Sequence, residues 1–120
     1  MRVRIGPYRK NRATRVEIEP HDTWSMDCTL AMIIHPMLVQ LKATQHGHPS
    51  DLTEQEWDEI LDEMIWAFNH KSTQMDAGDM CADKCANFGD PVCKACIKET
   101  QQRLSNAFAL FGKYYENLWD

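Results

Sequence analysis

The sequence predicts a mainly α fold: a three-helix bundle, led by a short N-terminal β-hairpin or extended arm and carrying a cysteine-rich, zinc-knuckle-like loop between the second and third helices. Three observations predict it. Apolar residues recur at three- and four-residue spacing over three long segments, strict alternation is confined to residues before Pro20, and four of the five cysteines fall between Cys81 and Cys96. At 120 residues, with 43% hydrophobic and 26% charged side chains, the chain has the size and composition of one ordinary folded domain and not of a disordered or fibrous protein. That domain, 1–120, divides into a basic extended arm, 1–20, and a helical body, 22–119, with the cysteine-rich insertion at 71–96.

The arm comes first. Arg2 to Ile5 and Thr14 to Glu19 alternate, placing Val3 and Ile5, then Val16 and Ile18, on one side of a half-buried strand pair separated by Gly6, Pro7 and a polar run. Pro20 ends the extended segment. Asp22 or Thr23 can then accept the free amide hydrogens at the start of a helix running from Trp24 to Lys42.

In that first helix Leu30, Ile34, Met37, Leu38 and Leu41 form one apolar face. Pro36 interrupts it, because its ring clashes with the carbonyl of Met32 and removes one backbone hydrogen bond, so a kink near His35 is expected unless the segment is really two shorter helices. Gly47 is placed to take the left-handed cap and Pro49 to block continuation. The second helix opens with a capping box, Thr53 with Glu56, followed by Trp57, Ile60, Leu61, Met64, Ile65 and Phe68 in a single stripe. The third begins between Pro91 and Cys96 and reaches Leu118, with Ile97, Gln101, Leu104, Phe108, Phe111, Tyr115 and Leu118 on one side. Tyr114, Tyr115 and Trp119 are read as the last layer of the core, with a dimer contact as the alternative.

Charge is segregated behind a formal net value of −5. Met1 to Arg15 holds six bases, Arg2, Arg4, Arg9, Lys10, Arg12 and Arg15, and no acid. From Val16 to His70, eleven acids face a single base, Lys42. Such an arm either folds back on acidic surface or binds nucleic acid through phosphate contacts. No apolar run approaches the roughly 20 residues that span a bilayer. The start MRVRIGPYRK also lacks the apolar core of a signal peptide, so the chain is expected to remain where it is made.

Cys81, Cys85, Cys93 and Cys96 follow the pattern C-x3-C-x7-C-x2-C. Two close thiolate pairs joined by the turn-forming NFGDP can supply the four tetrahedral ligands of a structural zinc, with Lys84 and Lys94 offsetting residual negative charge. Two disulfides, or four ordinary thiols, are the competing readings; retention in a reducing compartment favours zinc. A four-sulfur site leaves no open position for catalysis. Cys28, inside the first helix, is read as a small core residue.

Carboxylates on neighbouring turns of the second helix, Glu59 with Asp62 and Asp58 with Asp62, are the only enzyme-like arrangement. With Asp27 they suggest a metal-dependent all-α nucleotide hydrolase, although a second acidic pair on a facing helix is missing. No histidine motif, phosphate-binding glycine loop or nucleophile elbow is present.

The stretches RVRIGPY (Arg2 to Tyr8), DTWSMDCTLAMIIHPMLVQLK (Asp22 to Lys42), HGHP (His46 to Pro49), LDEMIWAF (Leu61 to Phe68) and RLSNAFALFGKYYENLWD (Arg103 to Asp120) together cover most of the chain. They resemble a family of small uncharacterised proteins encoded by tailed bacteriophages. Members often carry histidine at the position of Cys28, and their segment before the final helix is not cysteine-rich, which makes the cysteine cluster a local insertion. The resemblance implies the cytoplasm of an infected bacterium and no particular activity. It also nominates Trp24, Asp27, Thr29, Arg103, Asn106 and Lys113, in the recurring motifs, as a shared surface. The expected function is therefore a non-enzymatic binding protein that meets a host or phage macromolecule, or a small signalling molecule, with a hydrolase and a nucleic-acid-binding accessory protein as alternatives.

Overall fold

The computed structural model describes residues 1–44, 47–73 and 91–119, with residues 91–94 described in backbone only. Strands β1 (Arg2–Ile5) and β2 (Thr14–Glu17) pair antiparallel, Val3 opposite Val16 and Arg4 opposite Arg15. Asn11, at φ 60, makes the left-handed step that turns the chain, an αL conformation asparagine tolerates better than most side chains. The amide of Gly6 bonds the carbonyl of Ala13 at 2.8 Å, closing the hairpin, and Arg12 Nε donates to the carbonyl of Gly6. Pairing stops at Glu17, so Ile18 lies beyond the strand.

A 3-10 turn, Pro20–Thr23, leads into helix α1 (Met26–Thr44), displaced two residues from the expected Trp24–Lys42. Asp22 does act as a cap, but of this turn: its carboxylate accepts the amide of Glu19 at 2.8 Å. Thr23 instead donates its hydroxyl to the carbonyl of Pro20. Helix α1 runs as one helix through Pro36 and is not two shorter ones. Gly47 is not in the left-handed region. Helix α2 (Glu54–Thr73) starts as its capping box requires, with the amide of Glu56 donating to Thr53 Oγ1 at 3.1 Å. Helix α3 (Pro91–Lys113) ends five residues short of Leu118, and a second 3-10 turn, Tyr115–Asn117, follows.

Helix α2 is the middle of the fold. It packs against α1 on one side and α3 on the other, while among the described residues α1 and α3 make no direct backbone approach. Trp57, Leu61, Met64, Ala67 and Phe68 of α2 are buried; Ala31 and Leu38 meet them from α1, and Leu104, Ala107 and Tyr114 from the α3 side. Phe68 meets Phe108 and Phe111 edge-on, and Trp57 meets Tyr114 in the same way at 5.6 Å. Full burial of Leu61 and Met64 stabilises the fold by about 1.5–3 kcal/mol each. Three fully or nearly fully buried alanines, Ala31, Ala67 and Ala107, let the helices approach closely.

The core face of α1 differs from the expected one. Ala31, Ile34, Leu38 and Leu41 turn toward α2, whereas Leu30 and Met37 lie outside. At the far end, Tyr114 joins the core and Tyr115 and Trp119 stay exposed. Loss of helical phase after Lys113 is the reason: Tyr114 has φ −107 and ψ 14, which rotates the next residues off the stripe.

Candidate functional site

The six residues nominated by the recurring motifs divide between two helices separated by α2. Around the start of α1, Trp24 is exposed against His21, and Thr29 donates its hydroxyl to the carbonyl of Ser25. Asp27 forms an ion pair with Lys71 at 3.2 Å, tying the start of α1 to the end of α2. On α3, Arg103, Asn106 and Lys113 share one side of the helix by their spacing. Arg103 grips Glu63 of α2 through two hydrogen bonds, at 2.9 and 3.1 Å, and Asn106 accepts from Gln102. Lys113 reaches over the ring of Tyr114. Asp27 and Arg103 are thus clips between helices, with Lys42 to Asp62 a third; Trp24 is 81% exposed.

These contacts set the local electrostatics. The hydrogen bond from Lys71, with its positive charge, holds the Asp27 carboxyl below the ordinary carboxylate range. Next to it, burial pushes the Cys28 thiol up, and the Asp27 charge adds to that. Glu63 raises Arg103 further above its already high value.

The carboxylates proposed for metal-dependent hydrolysis are not gathered. Asp62 is engaged by Lys42, and Asp27 meets α2 at Lys71, nine residues beyond Asp62 and therefore about 14 Å further along the helix. Among the described residues no group of three or more histidine, cysteine or acidic side chains comes together. Cys81 and Cys85 lie outside the described residues. Cys93 and Cys96 fall three positions apart in α3, and Cys96 is buried.

What the structure adds is a groove that hydrophobic spacing did not announce. Because α1 and α3 both lean on α2 without closing on each other, an open cleft of about 800 Å³ remains, walled by Ile34, Met37 and Leu41 of α1 and by Phe111, Tyr115 and Leu118. Met37 is 66% exposed at its edge. Leu30 and Met26, about two and three turns earlier on the same side of α1, are also exposed and extend the apolar stripe. The signal was present in the composition of α1, which is apolar nearly all round: such a helix needs covering on more than one face.

The basic arm stands apart from this groove. Neither of its strands approaches the helices among the described residues, and the side chains of Val3, Ile5, Val16 and Ile18 are exposed. Tyr8, in the turn, is 94% exposed. Among the described residues no helix is long and apolar enough to cross a membrane. Compared with family models, curated proteins and solved structures, the chain matches none.

Proposed function

We propose that this chain is a non-enzymatic binding protein that recognises a host or phage macromolecule through the apolar groove between α1 and α3. The observation that carries the reading is the uncovered apolar wall of α1, where Met26, Leu30 and Met37 face solvent beside the cleft. An exposed contiguous apolar patch on a water-soluble surface is characteristic of an interaction site. An amphipathic helix or strand of a partner fits such a cleft by laying its own apolar side in it.

The phage setting, and with it the cytoplasm of an infected bacterium, is supported by the motif resemblance of RVRIGPY, DTWSMDCTLA and LFGKYY. A structural zinc on Cys81, Cys85, Cys93 and Cys96 is the reading their spacing supports for the insertion. A small signalling molecule is the second occupant worth naming, since the cleft volume falls in the range of small-molecule sites. Its lining, however, offers few polar groups, Gln40, Thr44 and Tyr115, to orient such a ligand.

The test is capture during infection. Tagged wild-type chain and the Met37→Glu variant are expressed in infected cells and cross-linked. The expected result is a partner held by wild type and lost from a variant that keeps its helical circular dichroism. A partner retained in full by Met37→Glu, or magnesium-dependent nucleotide turnover by the purified chain, overturns the reading.

A further inference from the structure

Two apolar surfaces of this chain lack cover among the described residues: the groove with its α1 stripe, and the face of the hairpin formed by Val3, Ile5 and Val16, with exposed Ile18 just beyond it. We propose that they cover each other between two copies of the chain, the arm of each copy seated in the groove of the other. This rests on the reading of the groove as a binding site and names its occupant in the protein alone.

Three observations favour the arm of a second copy. The first is stability. A two-stranded hairpin is marginal in water unless its apolar face packs on something, and among the described residues this one packs on none of the three helices of its own chain. Its polar face carries a further cost, because Arg4 and Arg15 stand directly opposite each other across the strands.

The second is charge. The arm, 1–20, carries six bases against Glu17 and Glu19, while residues 21–70 carry nine acids and one base, so an arm laid on another body joins opposite signs. Among the described residues the arm's own ion pairs are local: Arg15 meets Glu17 within the hairpin itself, the amino group of Met1 meets Asp22, and Arg12 turns back to a carbonyl of the turn.

The third is reciprocity. A two-fold pair buries both arms and both grooves at once, doubling each contact, as an isologous interface does. Pairing of two α1 helices through the groove would cover Met37 but leave both hairpins bare. The exposed Tyr8 at the arm's turn supplies an aromatic side chain of the kind that anchors such contacts.

The experiment is sedimentation velocity on the full chain, across protein and salt concentration, with two variants on exposed positions. One is the arm variant Ile5→Glu with Val16→Glu; the other is the groove variant Met37→Glu. Wild type is expected to be a dimer whose dissociation constant rises about tenfold or more between low and high salt. Each variant alone is expected to be monomeric with unchanged helical circular dichroism. Mixed together, they are expected to recover a heterodimer, because one arm and one groove remain intact and meet.

A wild-type chain that stays monomeric overturns the arm exchange. So does a dimer indifferent to the arm variant, which would mean groove-to-groove pairing, or a mixture of variants that fails to recover association. If arm exchange fails while Met37→Glu still loses its captured partner in infected cells, the binding reading stands without it. If Met37→Glu changes neither association nor capture, both fall.

Discussion

Arg103 sits with its guanidinium carbon 3.8 Å from the centre of the Trp66 ring while its nitrogens hold both carboxylate oxygens of Glu63. One side chain of α3 therefore meets two residues of α2 by two different forces, a charge-assisted fork and attraction to the π face. Because the site is partly exposed, Arg103→Ala is expected to cost about 1 kcal/mol in urea unfolding. Arg103→Lys should recover less than half of that, since an ammonium lacks the planar fork. Double-mutant cycles with Glu63→Ala and Trp66→Ala measure the two couplings separately; zero coupling in both would show the geometry to be energetically idle.

Met64 and Met37 are the same side chain in opposite surroundings, one fully buried in α2 and the other two-thirds exposed on α1. Met64→Ala should destabilise by about 2–5 kcal/mol through lost burial and the cavity left behind. Met37→Ala should stay within about 0.5 kcal/mol in the dissociated monomer, at protein concentrations below any self-association. Thermal unfolding of the two variants decides the matter, and a large loss at Met37 would mean that its surface is already covered in the folded protein.

The pair Asp27 and Lys71 has a signed pH dependence. Lys71 lowers the folded-state pKa of Asp27, so the pair's contribution is complete above the ordinary aspartate value, near 3.9, and is lost as pH falls through the lower folded value. Asp27→Asn should flatten that part of the acid unfolding profile and cost about 1 kcal/mol or less at neutral pH, as befits a pair whose carboxylate is largely exposed. An acid limb identical to wild type would contradict the assignment.

Cys28 offers a chemical readout of the same corner. Burial and the Asp27 charge both keep its thiol protonated, so alkylation at mildly alkaline pH should be slower than for a free thiol. Asp27→Asn removes one of the two causes and should speed labelling at Cys28, followed by peptide mass mapping. No acceleration would leave burial as the sole cause.

For the cysteine cluster, native mass spectrometry of gently purified protein should show one added zinc with four protons lost. A strong chelator should then lower the melting temperature while most helical signal survives, because the helices draw on the α2 core. A bare chain four protons light would mean two disulfides instead.

The helices were legible because their stripes follow the period of the fold, and α2 most of all, where the capping box and every predicted core residue agree with the structure. Helix α1 was harder to read. With apolar residues nearly all round, its periodicity did not distinguish Leu30 and Met37 from the buried Ala31, whose small side chain attracts no notice in a hydrophobic count. Of the terminal aromatics read as core, Tyr114 is buried, whereas the change of backbone phase after Lys113 leaves Tyr115 and Trp119 outside. The clips Asp27 to Lys71 and Arg103 to Glu63 join residues about 40 positions apart, which no local pattern records. The groove belongs to no single segment: it exists because two helices share a third.

That sharing has a mechanical consequence. Asp62 and Glu63 are consecutive on α2, yet the first holds α1 through Lys42 and the second holds α3 through Arg103. Helix α1 is pinned to this common axle a second time, by Asp27 to Lys71 about 14 Å further along, whereas among the described residues the α3 jaw has the one charged pin at Glu63, so a guest wider than the cleft is admitted more readily on the α3 side.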